Sequence, residues 1–371
     1  MTYIEQEFVS VAKRENNPKR NYLVVNRLQG KHVPVAPERA FEMFDALADR
    51  LNAAYGKERL LLIGFAETAT AIGARLAVRL GTYYIQTTRE QIPGAEYLFF
   101  SESHSHATEQ RLVKQDIDEM IPKVSRIVFI EDEVTTGNTI LNIINILEKE
   151  YPYKVRFAVA SILNGMDSAA KDRYRARQIG LLYLCETNHR QYAKIAESYA
   201  GDGTYIPADF THLVPAAVHR LQGYLNARRC VSGEAYGKAC EALWEQIKTA
   251  AVSEQGQKIL VLGTEEFMYP ALFVGACLEK CGNTVKCHAT TRSPIAVSRE
   301  SAYPLSVRHE LVSVYEDGRK TFIYDLKKYD SVWILTDAGE LTERGICSLL
   351  NALKSCGNDD IHLFLWEKDN F

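Results

Sequence analysis

The sequence predicts an α/β protein built on parallel sheet, and three observations carry that expectation. Short apolar runs at 59–63, 83–87, 126–130, 156–163 and 180–184 alternate with stretches of helical spacing, the pattern of strands crossed over by helices. The run at 126–130 leads through two acids into a Thr/Gly-rich turn, where such sheets hold ligands. Finally, landmarks of the first half return in the same order in the second.

Taken in order, the first strand ends at Gly64 and is followed by a helix over 69–80 with Ile72, Leu76 and Leu80 on one face. The second strand, 83–87, gives way to a polar, irregular stretch, 88–125, which contains Ser101-Glu102-Ser103-His104-Ser105-His106. The third strand and its turn start a helix through 149, with Ile140, Ile143, Ile144 and Leu147 at helical intervals. Between about 200 and 256 the pattern is interrupted by Gly201, Gly203, Pro207 and Pro215, and helices are expected near 212–228 and 234–251. Cys230-Val231-Ser232-Gly233 between them reads as a boundary, giving domains 1–229 and 230–371.

Beyond it, Ile259 to Gly263 matches Leu60 to Gly64 at an offset of 199, Thr290-Thr291-Arg292 matches Thr87-Thr88-Arg89 at 203, and 332–337 matches 127–132 at 205. Strand–Gly and strand–acid patterns also recur by chance in α/β proteins. The small drift of the offsets nevertheless predicts that the C-terminal domain is a degenerate copy of the first.

Composition narrows the class. The 371 residues are 46% hydrophobic and 25% charged, with 44 basic and 47 acidic residues for a net charge of −3. No global field favours nucleic acid, so any anion site must be local. No apolar run approaches the roughly 18 residues of a membrane span, and the polar, acidic start lacks the layout of a signal peptide. The eight cysteines form no CxxC pair. A cytoplasmic enzyme or binding protein, with no nucleic-acid or membrane partner, is expected.

The turn is the chemically informative segment. Thr135, Thr136, Gly137, Asn138 and Thr139 are small enough for their amides to close around a phosphate at a helix N-terminus, and Gly137 supplies permissive backbone angles. Glu131 and Asp132, just upstream, can accept hydrogen bonds from a sugar diol and stabilise positive charge developing on the ring. An ordinary capped strand-to-helix turn needs one Ser, Thr or Asp, not two acids followed by TTGNT. No Gly-Lys-Ser/Thr occurs there, so it is not a Walker loop.

Strand, two acids, then a Thr/Gly turn resembles the signature of type I phosphoribosyltransferases, which bind phosphoribosyl pyrophosphate (PRPP). The resemblance implies a PRPP site and catalytic roles for Glu131 and Asp132. It also implies a loop, Phe65-Ala66-Glu67-Thr68, that takes pyrophosphate through backbone amides, with Arg89 set against it. A mobile loop with His104, His106, Gln110 and Arg111 as candidates would close over the ligand. His104 and His106 as a zinc pair lack a third ligand nearby, and magnesium would arrive on pyrophosphate with no direct protein ligand. The resemblance also implies an acceptor hood, with Asn21 to Asn26 and Gly30 to Pro34 as candidates, although a hairpin covering a sheet edge is the simpler reading of these residues.

In the second copy, Thr336 replaces the first acid, and Glu340 and Glu343 stand where a phosphate needs neutral donors, so PRPP is not expected there. Thr290-Thr291-Arg292-Ser293-Pro294, with Gly263-Thr264-Glu265-Glu266 and Trp366, resembles the bacterial phosphoribosyltransferases that carry a C-terminal TRSP domain and are associated with tellurite-resistance and stress gene clusters. Thr291, Arg292 and Ser293 are either a structural loop or a candidate second anion or acceptor site. The resemblance implies Mg²⁺-dependent transfer of 5-phosphoribosyl from PRPP to a nitrogenous small-molecule acceptor, in a pathway to a nucleoside-like metabolite. The alternatives are a PRPP- or nucleotide-sensing regulator and a nucleotide-cleaving enzyme working in reverse; a homodimer is an open expectation.

Overall fold

The computed structural model describes residues 3–15, 17, 20–100, 110–151, 155–212, 214–251 and 253–368. His104 and His106 lie outside them. From the N-terminus come α1 (Glu5–Phe8), β1 (Val9–Lys13), β2 (Tyr22–Asn26), α2 (Pro37–Tyr55), β3 (Leu60–Gly64), α3 (Thr70–Leu80) and β4 (Tyr83–Gln86). Next are β5 (Tyr97–Phe100), β6 (Gln110–Val113), α4 (Lys114–Met120), β7 (Arg126–Val134), α5 (Asn138–Glu150), β8 (Arg156–Asn164), α6 (Ser168–Ala176), β9 (Gly180–Glu186) and α7 (Tyr192–Ser198). Then follow β10 (Thr204–Ile206), β11 (Ala217–Leu221), β12 (Val231–Ser232), α8 (Gly233–Ala250), β13 (Lys258–Gly263), α9 (Tyr269–Lys280) and β14 (Thr284–Ala289). The chain closes with β15 (Val307–Val312), β16 (Lys320–Tyr324), β17 (Ser331–Thr336), α10 (Glu343–Ser355) and β18 (Ile361–Trp366). No helix among the described residues is long and apolar enough to cross a membrane.

Two compact units form, from interleaved segments. One comprises 1–5, 41–189 and 225–238; the other comprises 6–40, 190–224 and 239–371. Residues 225–238, which include the expected boundary, group with the first unit because Val231 and Ser232 pair antiparallel with Tyr84 and Tyr83. Asp116 holds the same segment by accepting from the Arg229 guanidinium at 2.6 and 2.8 Å and from the Cys230 amide at 2.7 Å.

The first unit's sheet runs β12-β4-β3-β7-β8-β9, with every pair parallel except β12 with β4. All five residues of β3 are buried, so both faces of the sheet are covered, as parallel sheets require. Helix α5 buries Ile140, Ile143, Ile144 and Leu147, the face read from the sequence. The 88–125 stretch expected to be irregular instead folds into the β5–β6 hairpin and α4. Its strands are four residues each, too short for periodicity to reveal them.

The second unit's main sheet runs β11-β18-β17-β13-β14, parallel throughout. Its order β14-β13-β17-β18 repeats β4-β3-β7-β8 of the first unit, with the same crossover helix between equivalent strands, so the duplication expected from the sequence is present in the topology. Leu349 and Leu353 of α10 pack with Leu260, Leu262, Val332 and Ile334 in its core. The helix expected near 212–228 is not formed. Ala217 to Leu221 is a strand, because its backbone completes the ladder beside His362 to Trp366, and Pro215 and Gly223 bracket it. The segment 21–26 pairs with β1 as a hairpin, and Ala12 and Val25 from its two strands join Ile295, Val297 and Tyr303 in an apolar cluster of the same unit.

Candidate active site

Strand β7 is longer than the sequence suggested, and its last residues carry the acids. It continues past Ile130 to Val134 because Glu131, Glu133 and Val134 stay in register with β8. The turn 135–137 then opens α5. Gly137 sits at φ +68°, and a Cβ there would lie 2.4 Å from the Tyr174 hydroxyl, so this position requires glycine. Tyr174 braces the turn by donating to the Gly137 carbonyl at 2.8 Å. No side chain caps the start of α5. The Asn138 amide donates to Thr136 Oγ1 at 3.4 Å, and the partial positive charge of the helix end suits an anion.

Asp132 reaches the neighbouring loop, where its Oδ1 accepts from Thr68 Oγ1 at 2.6 Å. Burial pushes its carboxyl up to about 6; the Thr68 bond opposes the shift, and the adjacent Glu133 carboxylate adds to it. Glu131 is near enough to Tyr174 to help raise its phenol, although burial is the larger cause.

The loop after β3 is fixed from beneath. The Ala66 amide donates to Thr87 Oγ1 at 2.9 Å, Thr87 Oγ1 donates to Gln110 Oε1 at 2.8 Å, and Gln110 Nε2 donates back to the Ala66 carbonyl at 2.6 Å. Phe65 is anchored through its amide to the Ile130 carbonyl, and Glu67 is buried; the Ala66–Glu67 peptide bond is cis. Gln110 is thus a buried brace beneath this loop. Arg89 and Arg111 are both half-buried; Thr88, the neighbour of Arg89, exchanges backbone hydrogen bonds of 2.9 and 3.0 Å with Arg111, whose guanidinium lies 5.7 Å from the Tyr97 ring. Arg89 follows the carboxyl end of β4, beside a loop braced by these bonds, and a guanidinium there would suit a polyanion.

Sequence reading missed Glu133 and His189. Glu133 Oε1 lies 3.1 Å from His189 Nε2, which is also 2.8 Å from Thr187 Oγ1, and a Cβ on Gly165 would lie 2.4 Å from that nitrogen. The available signal was a third consecutive acid, Glu133, where a strand so buried would otherwise carry an apolar residue.

In the second unit, Thr291 is buried and exchanges backbone bonds with Phe322, and Ser293 accepts at its carbonyl from Tyr324 Oη at 2.6 Å. Arg292 directs its side chain at charged groups: its Nε donates to Glu265 Oε2 at 2.6 Å, and its Nη2 is 3.6 Å from Glu266 Oε1. Lys31, from the stretch considered as a hood, is buried in this unit and donates to the carbonyls of Glu265 and Thr290.

Residues 8–188 match a family model described as phosphoribosyl transferase, and residues 228–353 match the TRSP domain found C-terminal to that family. Similar solved structures include adenine phosphoribosyltransferases. That of Rhodothermus marinus is 14% identical, covering 49% of this chain and 96% of its own, with a TM-score of 0.35. That of Giardia lamblia, complexed with 9-deazaadenine, is 14% identical over 50% and 96%, with a TM-score of 0.36. That of Trypanosoma brucei, in complex with AMP, pyrophosphate and ribose-5-phosphate, is 16% identical over 49% and 77%, with a TM-score of 0.34. No curated protein matches the sequence.

Proposed function

We propose a specific reaction for this chain, which belongs to the phosphoribosyl transferase family and carries the TRSP domain C-terminal to it: Mg²⁺-dependent transfer of 5-phosphoribosyl from PRPP to a nitrogenous small-molecule acceptor. The bond from the acceptor nitrogen to C1′ forms as the bond from C1′ to the pyrophosphate oxygen breaks, and that electron pair leaves with pyrophosphate. In sequence terms we assign this chemistry to 1–229 and treat 230–371 as the appended portion.

The observation that carries the reading is the Asp132–Thr68 bond of 2.6 Å, which ties the acidic strand end to the rigid loop after β3. One ligand spanning both loops would place its 5′-phosphate in the turn from Thr135 to Thr139. Its diol would meet Glu131 and Asp132, and its pyrophosphate would lie against the backbone of Phe65 to Thr68, with Arg89 and Arg111 beside it. The carboxylates then stabilise the cationic ribose more than the ground state. Thr68, Asp132 and the threonines of the turn are hard oxygen donors, which suits a Mg²⁺–pyrophosphate ligand. The ion would ride on pyrophosphate and its own waters, neutralising the leaving group.

Incubation with PRPP, Mg²⁺ and a panel of bases tests the proposal. Acceptor-dependent pyrophosphate release is expected and would name the substrate; PRPP binding without release under any acceptor would favour a sensing role.

A further inference from the structure

The duplication extends to individual hydrogen bonds. The Glu265 amide donates to Thr290 Oγ1 at 2.9 Å, just as the Ala66 amide does to Thr87, and Lys31 takes the Glu265 carbonyl at 2.6 Å, as Gln110 takes that of Ala66. The loop after β13 is therefore the counterpart of the loop after β3, rebuilt with charged side chains. Glu265 replaces Ala66, Arg292 corresponds to Arg89, and Asp337 corresponds to Asp132.

Those charges are organised. Glu265 Oε2 accepts from Arg292 Nε at 2.6 Å and from Arg319 Nη1 at 2.9 Å, and its other oxygen accepts from the Ser313 hydroxyl. Glu265 adopts φ +47°, a left-handed conformation that a non-glycine residue keeps only when its surroundings enforce it. A carboxylate of the chain itself thus neutralises the arginine equivalent to the one proposed to meet pyrophosphate. Asp337 accepts from Tyr315 Oη at 2.7 Å and Tyr224 Oη at 2.5 Å. Thr264 Oγ1 lies 2.7 Å from Tyr315 Oη and 2.8 Å from Thr336 Oγ1. Tyr224 also meets Trp366 edge-on at 5.4 Å, and Phe267 lies 6.1 Å from the same indole.

These residues come from the loops at the carboxyl ends of β11, β13, β14 and β17 and from the β15–β16 connection. Strand β13 lies between β14 and β17, so successive connections leave it in opposite directions. That is the topological switch point at which open α/β sheets bind ligands. A buried ionic network is also a poor means of gaining stability over apolar packing, so its presence at this point calls for another role.

Charge decides the class of ligand. Among the described residues of the cluster, the cations are Lys31, held by the carbonyls of Glu265 and Thr290, and Arg292 and Arg319, while the carboxylates are Glu265, Glu266, Asp337 and Glu316, the last accepting from Arg319 Nε at 2.9 Å. Glu340, Glu343 and the Arg344–Asp317 pair are nearby in sequence but exposed. The carboxylates outnumber the cations by one, so a phosphate dianion would be repelled, whereas a neutral molecule would not.

We propose that this cluster in the second unit is a distinct ligand site for a neutral, hydrogen-bonding heteroaromatic molecule, a nitrogenous base or its nucleoside, and that it rejects PRPP and nucleoside phosphates. Carboxylates accept from ring N–H or sugar hydroxyls, guanidiniums donate to carbonyl or ring nitrogen, and Tyr224 links this polar set to the aromatic patch.

Calorimetric titration of the full chain tests the site, with adenine, guanine, cytosine and uracil, their nucleosides and their 5′-monophosphates as probes. At least one base or nucleoside should bind, and whether the base alone suffices distinguishes the two sources. That binding should persist in Thr136→Ile and weaken at least tenfold in Asp337→Asn and in Tyr224→Phe, conservative changes whose folding circular dichroism verifies. The matching 5′-monophosphate should bind at least tenfold more weakly than its nucleoside. Absence of binding by every probe at millimolar concentration, binding unmoved by both variants, or equal affinity for the monophosphate would each overturn the proposal. PRPP binding to Thr136→Ile, measured alongside, reports on the first unit alone and separates failure there from failure here.

Discussion

Asp132→Asn should stabilise the fold above pH 6 while removing activity, a combination that follows from where the carboxyl sits. Its proton affinity is raised from the ordinary 3.8 to about 6, chiefly by burial. A carboxyl whose folded value lies above its unfolded value costs stability when ionised. The cost is absent below pH 4, grows as pH rises from 4 to 6, and is complete above 6. At ~1.36 kcal/mol per unit, the shift corresponds to at most about 3 kcal/mol. Asparagine keeps the shape and an acceptor for Thr68 without the charge, so it should recover part of that energy at pH 8 and none at pH 4. Ligand-free urea denaturation of both proteins at pH 4, 6 and 8 measures the difference, and PRPP-dependent pyrophosphate release measures turnover. Activity should fall by orders of magnitude because the lost charge is the one placed to stabilise the ribose cation. A stability difference that does not change between pH 4 and 8 would refute the burial argument. Undiminished turnover would remove Asp132 from catalysis.

Four further expectations follow from the same geometry. Thr68→Val deletes the hydrogen bond that lowers the Asp132 value, so the acidic limb of the profile of kcat/KM for PRPP should move to higher pH; an unmoved limb would show that Asp132 does not govern it. Gly137→Ala combines left-handed backbone strain of ~1–2 kcal/mol with displacement of the Tyr174 hydroxyl, worth about 1 kcal/mol more, and denaturant midpoints should register a loss of roughly 2–3 kcal/mol. Thr136→Ile fills the phosphate turn, and PRPP titration should show affinity reduced at least a hundredfold; native affinity would displace the phosphate from this turn. His189→Asn separates the ring from Glu133, and steady-state kinetics should show a larger loss in kcat than in PRPP affinity if the pair serves the acceptor side; a loss confined to thermal stability would make it structural.

The order of the apolar runs was enough to read a parallel α/β architecture, and the drift of three short matches was enough to anticipate a second copy with the same strand order. These are properties of local periodicity and turn chemistry, which a linear pattern records directly. The strand-to-helix turn proposed to hold the phosphate was legible for the same reason, since strand, acids, Gly137 and helix start are consecutive residues. Only tertiary structure could show that Gln110 braces Ala66, that Thr68 restrains Asp132, or that His189 answers Glu133. In each case the partners are between 44 and 64 residues apart, and nothing local specifies which will meet. The strand at Ala217 to Leu221 likewise exists because a neighbouring ladder satisfies its backbone, overriding a helical reading of the segment. The Thr-Arg-Ser-Pro string changed most. Its sequence left a structural loop and a second anion or acceptor site both open, whereas the fold sets Arg292 against Glu265, because residues from four strand ends converge at one switch point.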